Sequence, residues 1–219
     1  MDTLNFKAIF LGQSVIKYEV PLDIFNSINT IYETNFHNLR PANKQLAGKI
    51  EKEHSLFYDG RDESKMKRHS LIPTNVKQWF MDTYHHYLNW NKIKEYRTNL
   101  NSIWVNEMKQ HEYNPIHVHQ GSLFTGLSSV MMLKLPTNYG IEYSAPESPS
   151  NGTLQILGSA SGQFANVDYQ PILKERDFYV FPYDMRHTVY PFNSTNEVRR
   201  TLASNCDVDY NPINNRGAG

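Results

Sequence analysis

The chain has 219 residues, with 22 lysines and arginines against 22 aspartates and glutamates, so its formal net charge is zero. That balance leaves no electrostatic footprint for nucleic acid, although it does not speak to a local basic groove. A single cysteine, Cys206, excludes an intramolecular disulfide and any Cys-x-x-Cys metal or redox site, and points to a reducing, cytoplasmic setting. With 39% apolar residues and a mean hydropathy of −0.60, one folded domain with a modest core is expected. The only early apolar run, Ala8–Leu11, is shorter than the ~7–15-residue core of a signal peptide, so neither export nor a membrane span is expected.

The first hundred residues read as the more helical half. After Pro21, a residue suited to a first helical turn, Phe25, Ile28, Ile31 and Tyr32 recur at helical spacing. A second helix is expected after Thr74 as its N-cap, because Val76, Trp79, Phe80, Tyr84 and Tyr87 fall on one stripe. Between them, from about Ala42 to Ser70, the sequence is polar and carries the run Glu63 to His69, which reads as a solvated loop.

From about Ser102 the pattern changes to short apolar segments separated by Gly, Pro, Asn and Ser, the signature of an antiparallel β unit. The expected strands are Ile103–Met108, Ile116–His119, Ser128–Leu135, Thr153–Leu157, Phe178–Phe181 and Thr201–Asp207. Pro136–Gly152 reads as a long surface loop, and a loop of that length in a small domain is more often functional than idle.

Nine histidines are present, and two form His117-Val-His119. Residues i and i+2 of a strand share a face, so one strand can aim both imidazoles into one cavity. Taken alone, the pair reads as readily as two hydrogen-bonded strand histidines, and imidazole does not name a metal. A later segment, Asp177 to Pro191, runs a buried-looking strand through Phe181-Pro182 into a turn and then His187, a third ligand candidate. Beyond it, Arg199 and Thr201 share a strand face, and a guanidinium with a hydroxyl two residues on can bind one carboxylate through several charge-assisted hydrogen bonds.

In this order the features resemble the 2-oxoglutarate- and Fe(II)-dependent oxygenases, and most of all a group with a His-x-His motif found in marine bacteria and tailed phages. His117 and His119 fall on the His-x-His positions. Leu127 to Pro136 follows the next block, with Met131 and Met132 where that group has tyrosines. Phe181-Pro182 and His187 match the third block, and Arg199, Thr201 and Asn205 the last, Arg199 rather than Arg200 giving both Thr at +2 and Asn at +6. The resemblance covers about Ile103 to Val208.

What it implies is a mainly β fold, a double-stranded β-helix (jelly roll, cupin-like) over residues 102–208, with supporting helices in residues 1–101, a tail at 209–219, and all of it one domain. It further implies a dioxygenase, an oxidoreductase of the hydroxylase type. His117, His119 and His187 would bind Fe(II), and Arg199 with Thr201 would bind 2-oxoglutarate. Asn106 or Tyr190 would stand in for the missing tyrosine hydroxyl. The partners are then O2 and a small-molecule or peptidyl substrate, with release of succinate and CO2. Most of the superfamily has a carboxylate where this chain has His119, so either the site uses three neutral imidazoles or water takes the third position, as in halogenase-like sites. Three neutral imidazoles leave the iron one unit more positive, which favours an anionic chelator but stabilises a high-valent metal less.

Two rivals follow from the same residues. A cupin shares the β-barrel, the His-x-His strand and a distal His, and acts without 2-oxoglutarate; Arg199 pointing into the barrel would argue against it. A non-enzymatic jelly-roll binding or structural protein would turn its histidines outward. Gly158-Ser-Ala-Ser-Gly162 lacks the nucleophile of a hydrolase elbow, His85-His86 face different directions on a helix, and Cys206 reads as a buried strand residue.

Overall fold

The computed structural model describes residues 12–42, 47–56, 71–141, 150–159, 162–163, 165–193 and 196–211. In chain order its elements are β1 (Ile16–Glu19), α1 (Leu22–Asn35), β2 (Arg40–Pro41), β3 (Lys52–Ser55), α2 (Thr74–Trp90), β4 (Tyr96–Met108), β5 (Asn114–His117), β6 (Gly126–Lys134), β7 (Leu154–Leu157), β8 (Asp168–Tyr169), β9 (Asp177–Pro182), β10 (Arg186–Val189) and β11 (Arg199–Tyr210). A large sheet runs in the order β1-β9-β6-β11-β4-β3-β2, and a small one in the order β5-β10-β7-β8. Every pairing is antiparallel.

Both helices start behind a proline, which fixes φ without losing a needed N–H. Pro21 precedes α1, which buries Ile24, Ile28 and Tyr32 on one stripe. Pro73, not Thr74, occupies the N-cap position of α2, and no side chain caps it; Thr74 is already helical. Along α2, Val76, Phe80, Thr83, Tyr84, Tyr87 and Leu88 are buried. The helix ends at Asn91, whose side chain donates to the Tyr87 carbonyl at 2.8 Å.

The period-2 alternation of the long strands separates two cores. On β6, Met131 and Leu133 face the helices, while Val130 and Met132 face the small sheet. On β11, Leu202, Cys206 and Val208 take the helix side. The inter-sheet core is built from Met108, Leu154, Ile156, Tyr179, Phe181, Val189 and Phe192 among others. The centre of the large sheet is therefore buried on both faces, which suits the near-continuous run of buried positions on β6, β9 and β11.

Several expectations need correction. The polar stretch from Ala42 contains β3, paired to β4 over Lys52 to Ser55, while the run Glu63–His69 lies outside the described residues. β4 begins at Tyr96 and crosses residue 101 without a break, and β11 continues through Tyr210. The turn expected after Phe181-Pro182 is present at Tyr183-Asp184, but His187 beyond it lies in a further strand, β10, that the sequence reading does not include. Among the described residues no helix is long and apolar enough to cross a membrane.

Candidate metal centre and co-substrate pocket

His117 ends β5 and stands directly opposite His187 of β10 in the ladder, so the two imidazoles are cross-strand neighbours with ring centroids 4.2 Å apart. His119 lies past the strand's end rather than within it. It is held there by its backbone N–H, which donates to the Tyr183 carbonyl at 2.9 Å. Tyr183 is in turn fixed by its hydroxyl, which donates to Asp207 on β11 at 3.2 Å. The third ring sits 5.0 Å from His117 and 4.8 Å from His187.

The other nitrogen of each ring decides what the cluster can do. His117 Nδ1–H donates to the Pro115 carbonyl at 2.7 Å, and His187 Nδ1–H to the Met185 carbonyl at 3.1 Å. His119 Nδ1–H donates to Asn205 Oδ1 at 2.9 Å, with the Ser128 hydroxyl at the same distance and itself donating to Asn205 Oδ1. A carbonyl oxygen accepts only, so all three protons sit on Nδ1 and all three Nε2 lone pairs are left free. His117 and His119 bring theirs to 3.1 Å from one another. Two facing lone pairs repel unless a cation lies between them, and the three ligand atoms lie within 4.8 Å of one another, a spacing that could hold a metal ion.

Burial drives all three imidazoles toward the neutral form that ligation needs. It lowers His117, holds His119 down to about 4 with His117 adding to the effect, and puts His187 well below the ordinary range. Trp104 stacks on His119 at 5.6 Å and Phe181 meets His187 edge-on at 4.8 Å, closing the rings in on the core side. The group contains no carboxylate, so the donor set is three neutral nitrogens.

The three histidines open into a cavity of about 1060 Å³ between the two sheets, and Arg199, Thr201 and Asn106 line the same cavity. Arg199 is 2% exposed. Its Nη2 meets only the weakly accepting Met132 sulfur, at 3.7 Å, and its Nε has no hydrogen-bond partner. Burial lowers its guanidinium to about 10, still protonated at neutral pH. A buried, charged and unpaired guanidinium is costly, and an anionic ligand is what would relieve it. The neighbouring Arg200 is the opposite case. It faces the helices, donates to Glu107 at 2.7 and 2.9 Å and to Glu33 at 3.0 Å, and stacks on Tyr32.

The sequence-derived candidates thus separate. His117, His119, His187, Arg199, Thr201 and Asn106 converge on one cavity, and Asn205 fixes the tautomer of His119. Tyr190 does not join them: its hydroxyl donates to Gln155 at 2.6 Å, on the neighbouring strand of the small sheet. Met132 stands in the strand position where the resembled group has a tyrosine, while Met131 faces the helices. A phenol nevertheless reaches the electrostatic neighbourhood of Arg199, from Tyr139 in the loop after β6, and its buried hydroxyl is also without a partner. Sequence reading missed Tyr139 because nothing in Pro-Thr-Asn-Tyr-Gly marks it, and missed Glu53 on β3, which lines the cavity as well.

Residues 102–205, just under half of the chain, match the model of a family described as "Putative 2OG-Fe(II) oxygenase". No curated protein matches the sequence. Among solved structures, the chain resembles a prolyl-4-hydroxylase from Pseudomonas putida (12% identity, TM-score 0.53, covering 89% of this chain and 92% of that one). It also resembles the viral collagen prolyl hydroxylase of Paramecium Bursaria Chlorella virus-1 (12%, 0.51, 88% and 94%). A third is a prolyl hydroxylase from Trichoplax adhaerens, solved with a peptide fragment (11%, 0.53, 94% and 86%). At these identities the neighbours establish the fold. The matched segment contains both members of His-x-His, the distal His187, and Arg199, Thr201 and Asn205.

Proposed function

We propose, from a core that belongs to the 2-oxoglutarate- and Fe(II)-dependent oxygenase superfamily, that this oxidoreductase hydroxylates an organic substrate at a carbon centre, with His117, His119 and His187 as its iron ligands. The observation that carries this reading is the pairing, in one cavity, of three convergent Nε2 lone pairs with the buried, unpaired guanidinium of Arg199. When bound, Fe(II) and 2-oxoglutarate together supply the activation of O2, coupled to decarboxylation of the 2-oxo acid to succinate and CO2.

The chain's own residues provide geometry and charge. Asn205, Pro115 and Met185 hold the Nδ1 protons, so that the ligating nitrogens need no reorganisation when the metal enters. Arg199 takes the distal carboxylate of the 2-oxo acid through charge-assisted hydrogen bonds. Thr201, two residues on, offers a hydroxyl on the same face, and Asn106 an amide in register with it. Trp104, Phe181 and Val130 give the cavity apolar wall, which keeps water from the reacting centre. A donor set without a carboxylate leaves the metal more positive, so the anionic chelator is held by charge at both of its ends.

The test is an anaerobic titration of the metal-free protein with Fe(II) and then 2-oxoglutarate, following the visible charge-transfer band of an iron-chelated 2-oxo acid. The wild type is expected to develop a saturable band. His187→Ala abolishes it, and Arg199→Ala weakens 2-oxoglutarate binding by about 30-fold or more, the cost of removing a buried charged partner. Iron binding without a band would transfer the protein to the cupin reading. Absence of metal binding would leave the histidines structural.

A further inference from the structure

Glu53 on β3 is in register with Asn106 of β4, and Asn106 with Thr201 of β11, so the three form one row across the inner face of the large sheet. Glu53 is 3% exposed, lines the cavity, and its Oε1 has no hydrogen-bond partner. The side-chain oxygens of Asn106, beside it, and of Asn114, on β5, are buried in the same cavity and equally without partners. A carboxylate accepts only, and buried acceptors are ordinarily satisfied.

The strand itself offers Glu53 no cation. Lys52 turns to the opposite face and pairs with Glu107 at 3.8 Å, and His54 turns toward Tyr32 of α1. The charge that acts on Glu53 is another acid, Glu112, which together with burial raises the Glu53 carboxyl to about 7. Arg199 has the complementary charge and opens into the same cavity, yet neither group shifts the other. β4 lies between them, with Arg199 opposite Met108 and Glu53 opposite Asn106. Had the two been placed for stability they would be paired. Kept apart and both unsatisfied, they address two ligands of opposite charge.

We infer that Glu53 is the recognition residue for the primary substrate, and that this substrate presents an amino or guanidino group to the Glu53 carboxylate, with the Asn106 side-chain oxygen alongside and its amide N–H left to the co-substrate. The assignment to the primary substrate rests on the oxygenase reading, in which Arg199 already holds the co-substrate. A cationic nitrogen with several N–H donors fits a carboxylate flanked by amide oxygens, whereas an anion or a purely apolar group would leave all of them unsatisfied. The cation can come from a free basic amino acid or from a basic side chain within a peptide.

The experiment uses the full chain and two independent readouts: binding calorimetry on the metal-free protein, and perturbation of the charge-transfer band after loading with Fe(II) and 2-oxoglutarate. The probes are L-arginine, L-lysine and agmatine against the neutral isostere L-citrulline, and an acetylated tetrapeptide containing arginine against its citrulline counterpart. Cationic probes are expected to bind the wild type saturably and the neutral ones not. Glu53→Gln should weaken the cations about tenfold or more, and Glu53→Asp should retain part of the preference. Whichever of the free or peptidyl arms binds names the source. Equal affinity of cation and isostere, or cation binding unchanged in Glu53→Gln, would overturn the inference. A Glu53→Gln chain with wild-type circular dichroism and melting no lower at pH 8 excludes unfolding as the cause of lost binding. Cation binding without any 2-oxoglutarate band sinks the oxygenase reading alone; a normal band with no cation preference sinks this inference alone.

Discussion

His119, a candidate ligand, depends on neighbours outside the histidine group. Lying beyond the end of β5, it has no ladder to orient its ring, and Asn205 and Ser128 do so instead, each 2.9 Å from Nδ1. Replacing Asn205 by Ala frees the ring to take the other tautomer and leaves a proton on the ligating nitrogen part of the time. Metal affinity should then fall by about 10- to 100-fold. Titration with Co(II), read by its visible absorption, would check this, and an unchanged affinity would remove Asn205 from the site. Glu53 supplies the pH dependence. Its folded carboxyl holds a proton up to about 7 against an ordinary 4.5, so between those values the native state binds more protons than the unfolded one. Stability is therefore lost as pH rises through that window, with the full loss, on the order of 2–3 kcal/mol, present above it. The charged groups around it are Glu112, anchored by the backbone N–H groups of Glu51 and Lys109, and Arg40 on the same cavity wall. In urea melts, Glu53→Gln and the wild type should differ little at pH 4.5, with the variant gaining as pH rises to 8. At this scale the candidate ligands were legible chiefly through the order of the motifs, since His119 lies outside the strand that the His-x-His spacing implied. Glu53, Tyr139 and Ser128 were not, since a lone acid, phenol or hydroxyl has no pattern until the fold places it against a cavity.

At the scale of elements, legibility followed what each element buries. α1 and α2 each press one stripe onto the helix-side core, so Ile28 and Tyr32, and Val76, Phe80, Tyr84 and Tyr87, recur at helical spacing for a physical reason, while on α1 Ile24 completes the buried stripe and Phe25 and Ile31 only flank it. β3, Lys-Glu-His-Ser, shows no such signal, because its inward residues Glu53 and Ser55 line a polar cavity instead of packing a core. The first half of β4 is hidden for another reason: Arg97 and Asn99 point to solvent, so polar residues interrupt the apolar signal there. How α2 is fastened to the sheet can be tested. The Tyr84 hydroxyl lies 3.0 Å from Ser129 and 2.6 Å from Ser204, in a buried cluster whose serines are also 2.6 Å from each other. Tyr84→Phe leaves that serine pair intact, so its cost should be about 1 kcal/mol, against about 3–5 kcal/mol for Phe80→Ala, which opens a cavity. Denaturant unfolding of the two variants would measure the difference. Both residues lie on the helix side of the sheet, so metal affinity should be unchanged in each.

For the whole molecule, the division into two cores has a thermodynamic consequence. The helix-side core is continuous apolar packing, whereas the space between the sheets is shared between a smaller apolar cluster and a cavity of about 1060 Å³ holding unpaired groups. The small sheet contributes two of the three candidate ligands and the large sheet contributes Arg199, so a metal and a 2-oxo acid bound together would tie the two sheets to each other. Binding to the native state alone stabilises it by about 2.7 kcal/mol at a free ligand concentration 100-fold above Kd. For a chain of this length that corresponds to roughly 5–10 °C in Tm. Anaerobic melts should therefore show a rise of that size on adding Fe(II) with 2-oxoglutarate, and a smaller one with Fe(II) alone. Two variants separate the origins of stability. Phe80→Ala should melt well below the wild type yet keep the full ligand-induced rise, because its loss is confined to the helix side. His187→Ala should lose the rise altogether. If the ligand-induced rise shrank equally in both variants, the two faces of the large sheet would not be independent and the site could not be treated as a unit grafted between rigid layers.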